Sequence, residues 1–122
     1  MTWYAMHLIM QIRFKAATQP YFPAWEEVFL VEADTPDEAY SKAETIGLSL
    51  EGDSQGTFHW DEQPATHVFS GVRKCIELSC PRSPLNAPKD GCELTYSLFE
   101  FSSQADLRKY VEGDEVLLKA LK

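Results

Sequence analysis

Basic side chains are scarce in this sequence of 122 residues, which has 11 Lys and Arg against 19 Asp and Glu and a formal net charge of −8 at pH 7. The negative charge repels phosphate backbones and anionic membrane surfaces. The longest basic runs are the pairs Arg73-Lys74 and Arg108-Lys109, so the strand aromatics lack the flanking cations of a base-stacking platform. We therefore expect neither a nucleic-acid partner nor a membrane partner.

Cysteine is equally scarce, and long hydrophobic runs are missing. The three cysteines, Cys75, Cys80 and Cys92, are an odd set that cannot form a fully paired disulfide framework within one chain, which favours a reducing compartment. The apolar start of the chain lacks the basic region and the cleavage site of a signal peptide. No uninterrupted apolar run approaches the roughly 18 residues of a membrane span. These absences predict a cytoplasmic protein.

The chain does have the composition of one ordinary globular domain. Hydrophobic residues make up 44% and charged residues 25% of the sequence, and a chain of this size can bury a core without a metal or a disulfide. We predict a single domain over residues 1–122. No Gly-rich phosphate-binding loop follows a strand and no G-x-S-x-G motif is present, and we expect no cofactor.

Alternating apolar residues predict two strands before the first helix. Every even position in residues 4–14 is apolar, as in a strand with one buried face. The second strand covers about residues 25–33. Because its centre, residues 28–31, is apolar on both faces, it is either an interior strand or one whose second face meets another chain. The motif Thr35-Pro36-Asp37-Glu38 then begins a helix with threonine as its N-cap.

The second half of the chain predicts three more strands and a second helix. A short strand at Phe58 and Trp60 is followed by a long strand at 66–79, with Val68, Val72, Ile76 and Leu78 inward. A proline-rich loop at 81–91 then leads to a strand at 92–98. A short helix begins at Ser102 or Ser103 and stops near Gly113. Residues 114–122 fit a helix or an edge strand, and the helix is favoured. The order β-β-α-β-β-β-α predicts an α+β fold, with an antiparallel-rich sheet of about five strands and the helices on one face.

Four segments of the chain resemble a known family. They are the strand opening Trp3-Tyr4-Ala5, the strand end Leu30-Val31-Glu32-Ala33, the helix start Thr35-Pro36-Asp37-Glu38-Ala39 and the late segment Glu93-Leu94-Thr95-Tyr96-Ser97-Leu98-Phe99. Together they are similar to a family of small uncharacterised bacterial domains of unknown function. The resemblance covers most of the chain, and it implies no activity and no functional residue.

One group of side chains has the ligand types of a zinc site, namely His67, Cys75, Cys80 and Cys92. Their spacing argues against a metal, because structural zinc sites generally use two close pairs such as C-x2-C. We expect no metal, and favour a packed Cys75 with two thiols beside the proline-rich loop. An oxidised crosslink between Cys80 and Cys92 is geometrically possible.

Strand alternation gathers polar residues on the sheet face opposite the helices. They are His7, Gln11, Arg13, Glu27, His59, Asp61, His67, Arg73, Glu77 and Glu93. Imidazoles beside carboxylates support acid-base chemistry where a cleft removes water from them. The candidate catalytic residues of such a small hydrolase are His59, Asp61 and His67. A solvated face of mixed charge is the favoured interpretation.

The same face carries large apolar side chains. The candidate interface residues are Trp3, Ile9, Phe29, Phe69 and Phe99. Apolar anchors inside a polar rim are typical of an association surface, although loops that fold over the face would also explain them. We predict a non-enzymatic interaction module that forms a homodimer or binds another protein. The alternatives are an acidic inhibitor or immunity-type protein steered to a basic effector, and the small hydrolase described above.

Overall fold

The computed structural model describes residues 1–16, 18–80 and 87–121, so residues 81–86 of the predicted proline-rich loop lie outside the described ranges. The elements in chain order are β1 (Thr2–Phe14), β2 (Ala24–Ala33), α1 (Pro36–Ser49), β3 (His59–Trp60), β4 (Gln63–Glu77), β5 (Phe99–Glu100), α2 (Gln104–Val111) and β6 (Lys119–Ala120). The α+β class is confirmed. Among the described residues, no helix combines the length and the apolar character that a membrane-crossing segment requires.

The main sheet has the strand order β2-β1-β4-β3, and every pairing in it is antiparallel. β1 lies between the two long strands β2 and β4, and its even positions are buried as the alternation predicts. β2 lies at the edge of the sheet. Of the two readings of its apolar centre, the interior strand is therefore wrong.

α1 begins as its sequence predicts and lies close to the sheet. The hydroxyl of Thr35 accepts a hydrogen bond from the backbone N–H of Glu38 at 3.2 Å, which satisfies one of the unpaired donors of the first turn. Ala39 and Ala43 are fully buried. At Gly47 the ring of Phe69 occupies the space beside the helix, because a Cβ there would lie 2.4 Å from the ring Cδ1. Small residues thus allow the close approach.

Two clusters make up the described core. The larger is formed by Tyr4, Met6, Leu8, Val31, Ala33, Ala39 and Ala43, with Phe29, Ile46, Phe69, Val72 and Cys75 packed against it. It fills the space between α1 and the sheet. The smaller is formed by Ile12, Phe14 and Ala65, with Phe58 and Trp60 against them. Burying these apolar side chains is the main contribution to the stability of the fold.

β4 does not keep one alternation along its length. Its register against β1 shifts twice, between His7 and Leu8 and again between Ile9 and Met10, and each shift changes which face the next residues occupy. Val72 pairs with the inward Leu8 as predicted. Ile76 and Val68 pair with outward positions of β1, so the prediction that they point inward is wrong.

The end of the chain differs from the prediction in two places. Residues 92–98 contain no strand, and the fifth strand is instead the two-residue β5, which pairs with β6. The predicted helix at 114–122 is wrong, because the described part of that segment holds β6 and no helix. α2 begins as predicted, with the hydroxyl of Ser103 as N-cap, and Gly113 follows its end with a positive φ of 86°.

Candidate functional site

The face of the sheet that points away from α1 is called here the far face. It presents the odd residues of β1 and their partners on β2, including the pairs Ala5 with Leu30 and His7 with Val28. The segment of residues 93–99 passes over part of this face, because Thr95 and Tyr96 bond to side chains of β1 and β4. The far face is therefore partly covered and partly open.

At the covered part, His7 is 3% exposed and has hydrogen-bonding partners on both ring nitrogens. Its Nδ1 lies 2.6 Å from Oε2 of Glu26, and its Nε2 lies 2.6 Å from the hydroxyl of Thr95. The guanidinium of Arg73 lies 3.6 Å from the same Glu26 oxygen. The hydroxyl of Thr95, the imidazole of His7, the carboxylate of Glu26 and the guanidinium of Arg73 thus form a continuous chain, which is called here the His7 network.

The strands position three members of the network. Glu26 pairs with Ile9, two residues along β1 from His7, so it reaches the imidazole diagonally across the antiparallel pair. Arg73 is the residue skipped at the first register shift of β4. A bulge re-aims the side chain it carries, and here it brings the guanidinium to the carboxylate of Glu26.

Residues 93–99, which pass over the far face, are called here the covering segment. Thr95 belongs to this segment and lies 88 residues away from His7 along the chain. Two further contacts hold this segment in place. The ammonium of Lys74 donates to the carbonyl oxygen of Tyr96 at 3.1 Å, and a disulfide joins Cys80 to Cys92 with a Cα–Cα distance of 5.8 Å. The hydroxyl that meets His7 therefore depends on tertiary contacts rather than on local secondary structure.

A cavity of about 400 Å³ opens beside the network. Its lining residues are His7, Glu26, Val28, Arg73, Thr95, Ser97, Phe99 and Ala120. This size is within the range of small-molecule sites, in which a few polar groups stand among apolar walls. The four residues of the network thus border a cavity of small-molecule size.

The open part of the far face lies along the edge strand β2. Val28 and Leu30 are 44% and 45% exposed there. A groove of about 500 Å³ lies between this edge of the sheet and α1, and its lining includes Trp3, Leu30 and Ile46. At one end of this edge, the ammonium of Lys42 donates to the backbone carbonyl of Glu32 at 2.6 Å. The centre of β2, residues 28–31, is apolar.

The five candidate interface residues separate into three places. Trp3 and Ile9 lie at odd positions of β1, on the far face as expected. Phe99 belongs to β5 and packs its ring against Phe101 and Tyr110. The predicted face is wrong for Phe29 and Phe69, because both pack against the core under α1. Phe29 pairs with the buried Met6, and the register shifts turn Phe69 inward.

The three candidate catalytic residues each have separate partners. His59 is exposed, with its Nδ1 2.8 Å from the carbonyl oxygen of Thr57. Asp61 accepts a hydrogen bond from the hydroxyl of Tyr21. The ring of His67 lies on the inward side of β4, with its centroid 4.1 Å from that of Phe58 and 5.6 Å from that of Trp25. Their placement on one polar face is therefore wrong for His67.

The candidate zinc ligands are not arranged to bind a metal. The sulfurs of Cys80 and Cys92 are bonded to each other, as the sequence allowed, so they are not thiolates. Cys75 packs against the core, and burial raises the pKa of its thiol, with Glu77 adding to the effect. Among the described residues, no group of three or more His, Cys, Asp or Glu is placed to hold an ion.

Sequence reasoning identified half of the His7 network. The predicted polar face includes His7 and Arg73, but it contains Glu27 and not Glu26. The pairing of Glu26 with Ile9 puts it on the far face, whereas the apolar centre of β2 gives no sign of which face is buried. Thr95 carries no local signal, because the alternation of residues 92–98 predicts a strand of the sheet and not a segment that crosses its face.

Together the fold and the site define a small α+β protein in which residues 93–99 cover part of one face of an antiparallel sheet. The chain belongs to the family described as "Domain of unknown function (DUF4288)", whose model matches residues 3–97. The resemblance to a family of small uncharacterised domains is therefore confirmed. Neither a curated protein nor a solved structure matches the chain. The matched range contains all four members of the His7 network and ends before β5.

Proposed function

We propose that this protein is an interaction module that binds a second copy of itself along the edge strand β2. The observation that carries the proposal is the position of β2 at the sheet edge together with the exposure of Val28 and Leu30 on it. An edge strand presents backbone N–H and C=O groups that can pair with another strand. Exposed apolar side chains on such a strand add a hydrophobic contribution to pairing.

The charges on β2 restrict where pairing can occur. Glu26 and Glu27 lie towards its beginning, and Lys42 occupies the carbonyl of Glu32 near its end. Between them runs the apolar centre of the strand, residues 28–31. Natural edge strands avoid association by carrying charges and by being covered. In β2 the charged side chains lie on both sides of residues 28–31, and these central residues carry no charge.

A second copy fits this edge better than an unrelated partner. Two antiparallel β2 strands related by a two-fold axis would extend the sheet, and each would offer the other the same apolar patch. The net charge of −8 on each copy opposes this association. Because added salt screens repulsion between like charges, self-association should strengthen as salt concentration rises. An acidic inhibitor bound to a basic effector would show the opposite salt dependence.

Light scattering at micromolar concentration tests the proposal. We expect a mass of two chains for the wild type and of one chain for Leu30→Lys, which places a charge in the centre of the patch. Leu117→Lys is the matched control, since Leu117 is 93% exposed and lies outside β2, and it should remain dimeric. A wild type that stays monomeric at high salt, or a Leu30→Lys variant that stays dimeric, would overturn the proposal.

A further inference from the structure

We propose that Thr95, His7 and Glu26 form a nucleophilic acyl-transfer site that accepts small carboxylic esters. The inference goes beyond self-association and does not depend on it. It rests on three side chains from three separate parts of the chain that meet in a hydroxyl–imidazole–carboxylate sequence beside a cavity.

The contacts define the role of each group. An ionised Glu26 can only accept a hydrogen bond, so His7 Nδ1–H is the donor in that 2.6 Å contact. His7 Nε2 is then the acceptor, and the hydroxyl of Thr95 donates to it at 2.6 Å. A nucleophile bonded to a base that is oriented by a third group is the general arrangement for activating a hydroxyl. Thr95 is thus the nucleophile, His7 the base and Glu26 a positioning residue.

The surroundings distinguish this arrangement from a polar contact that only holds the covering segment. His7, Glu26 and Thr95 all line the cavity of about 400 Å³, where a reacting group can approach the hydroxyl. Arg73 lines the same cavity. Its guanidinium has five N–H donors, and those not directed at Glu26 are available to an oxyanion formed beside Thr95.

The walls of the cavity determine the class of substrate. Val28, Phe99 and Ala120 provide apolar surface, and Ser97 adds a hydroxyl. The volume suits a short acyl group and a small alcohol. Among the lining residues, Arg73 supplies a guanidinium, which is suited to the charge that develops on a carbonyl oxygen during acyl transfer.

The reaction has two balanced halves. Oγ of Thr95 attacks the carbonyl carbon while its proton passes to Nε2 of His7; the bond to the leaving oxygen then breaks, and the departing alcohol takes that proton. Water next attacks the acyl-threonine ester and gives a proton to Nε2. This proton returns to Oγ of Thr95 as the carboxylic acid leaves, and the site is restored.

The direct test uses p-nitrophenyl acetate, with acetylation located by mass spectrometry of peptides from the intact chain. We expect acetyl on Thr95, and a Thr95→Val variant that releases nitrophenol at least about 100-fold more slowly, in line with the contribution of a nucleophile and its base. Thr95→Ser keeps the hydroxyl and should retain the reaction. Thr18→Val is the matched control at an exposed position. Acetyl found only on lysines or the N-terminus, or equal rates for wild type and Thr95→Val, would overturn the proposal.

A second pair of variants separates positioning from stability. Glu26→Gln can present an amide N–H to His7 and favour the wrong tautomer, so we expect acylation to fall about 100-fold or more and its pH–rate profile to change shape. Glu27→Gln, next to it on β2, should leave both unchanged. A Glu26→Gln protein that folds and shows the wild-type rate and profile would contradict the role of the network. The dimer-disrupting Leu30→Lys variant should still be acylated, which keeps the two proposals distinguishable.

Discussion

At the scale of single residues, His7 is a polar side chain that the fold buries. A buried polar side chain is destabilising unless its nitrogens are bonded, and His7 satisfies both of its nitrogens through Glu26 and Thr95. These bonds also tie the covering segment to the sheet. The His7 network therefore contributes to the stability of the fold, independently of any chemical reaction at the site.

Thr95→Val tests that structural contribution. The change keeps the shape of the side chain but leaves Nε2 of His7 without its partner, and an unsatisfied buried group costs about 1–3 kcal/mol. We expect the free energy of unfolding, measured by urea denaturation, to fall by that amount. Thr95→Ser, which keeps the hydroxyl, should lose clearly less. Equal stability of the valine variant and the wild type would show that the bond contributes nothing.

Asp53 gives the molecule a predictable response to acid. A hydrogen bond from Lys15, at 2.5 Å, and a second from the backbone of Gly56 hold the pKa of this carboxyl below its ordinary value. A group whose pKa is lowered on folding stabilises the folded state at neutral pH, and that stabilisation is lost as pH falls through the folded-state value. Wild type should exceed Asp53→Asn in unfolding free energy at pH 7, and the difference should shrink as pH falls below the ordinary carboxyl value of about 4 and be lost once pH is below the lowered folded-state pKa. A difference that stays constant across the acid range would contradict the assignment.

At the scale of elements, the close packing of α1 on β4 depends on Gly47. Alanine is intrinsically better than glycine in a helix by about 1 kcal/mol, but a Cβ at position 47 would overlap the ring of Phe69. We expect Gly47→Ala to lower the thermal midpoint, because overpacking costs about 1–3 kcal/mol and outweighs the helix preference. Glu44→Ala, at an exposed position of the same helix, is the control. A raised midpoint for Gly47→Ala would show that α1 moves away from the sheet easily.

The covering segment is held partly by the disulfide between Cys80 and Cys92, which are 12 residues apart. A crosslink closing a loop of this length stabilises a protein by about 3 kcal/mol. We expect the double variant Cys80→Ser, Cys92→Ser to lose roughly that amount in urea denaturation, and reductant to have the same effect on the wild type. If reductant leaves the wild type unchanged and the free thiols react fully with a thiol reagent in the native state, the crosslink is absent in solution.

The elements also show how far the sequence alone could lead. Local signals were sufficient where structure is set locally: the alternation of β1, the N-cap at Thr35 and the N-cap at Ser103 all hold. They failed in β4, because a bulge is a property of two paired strands and leaves little trace in one of them. The contact between His7 and Thr95 could not be predicted from local sequence either, because it depends on the position of a segment 88 residues away along the chain.

At the scale of the whole molecule, net charge and the apolar edge strand have opposite effects on self-association. The charge of −8 keeps copies apart, while the centre of β2 offers an apolar edge that two copies can share. The expected outcome is a modest association that depends on salt and concentration. The covering segment protects one part of the far face, so the open edge is where a second chain can bind.

Hydrogen exchange of the β2 backbone amides, compared at low and high protein concentration, tests this association most directly. Outward-facing amides in residues 28–31 are expected to exchange more slowly at high concentration, because pairing with a second β2 bonds them, while those of β1, already inside the sheet, should not change. In Leu30→Lys the concentration dependence should disappear. Exchange in residues 28–31 that is the same at every concentration, with light scattering showing a single chain, would contradict self-association through β2.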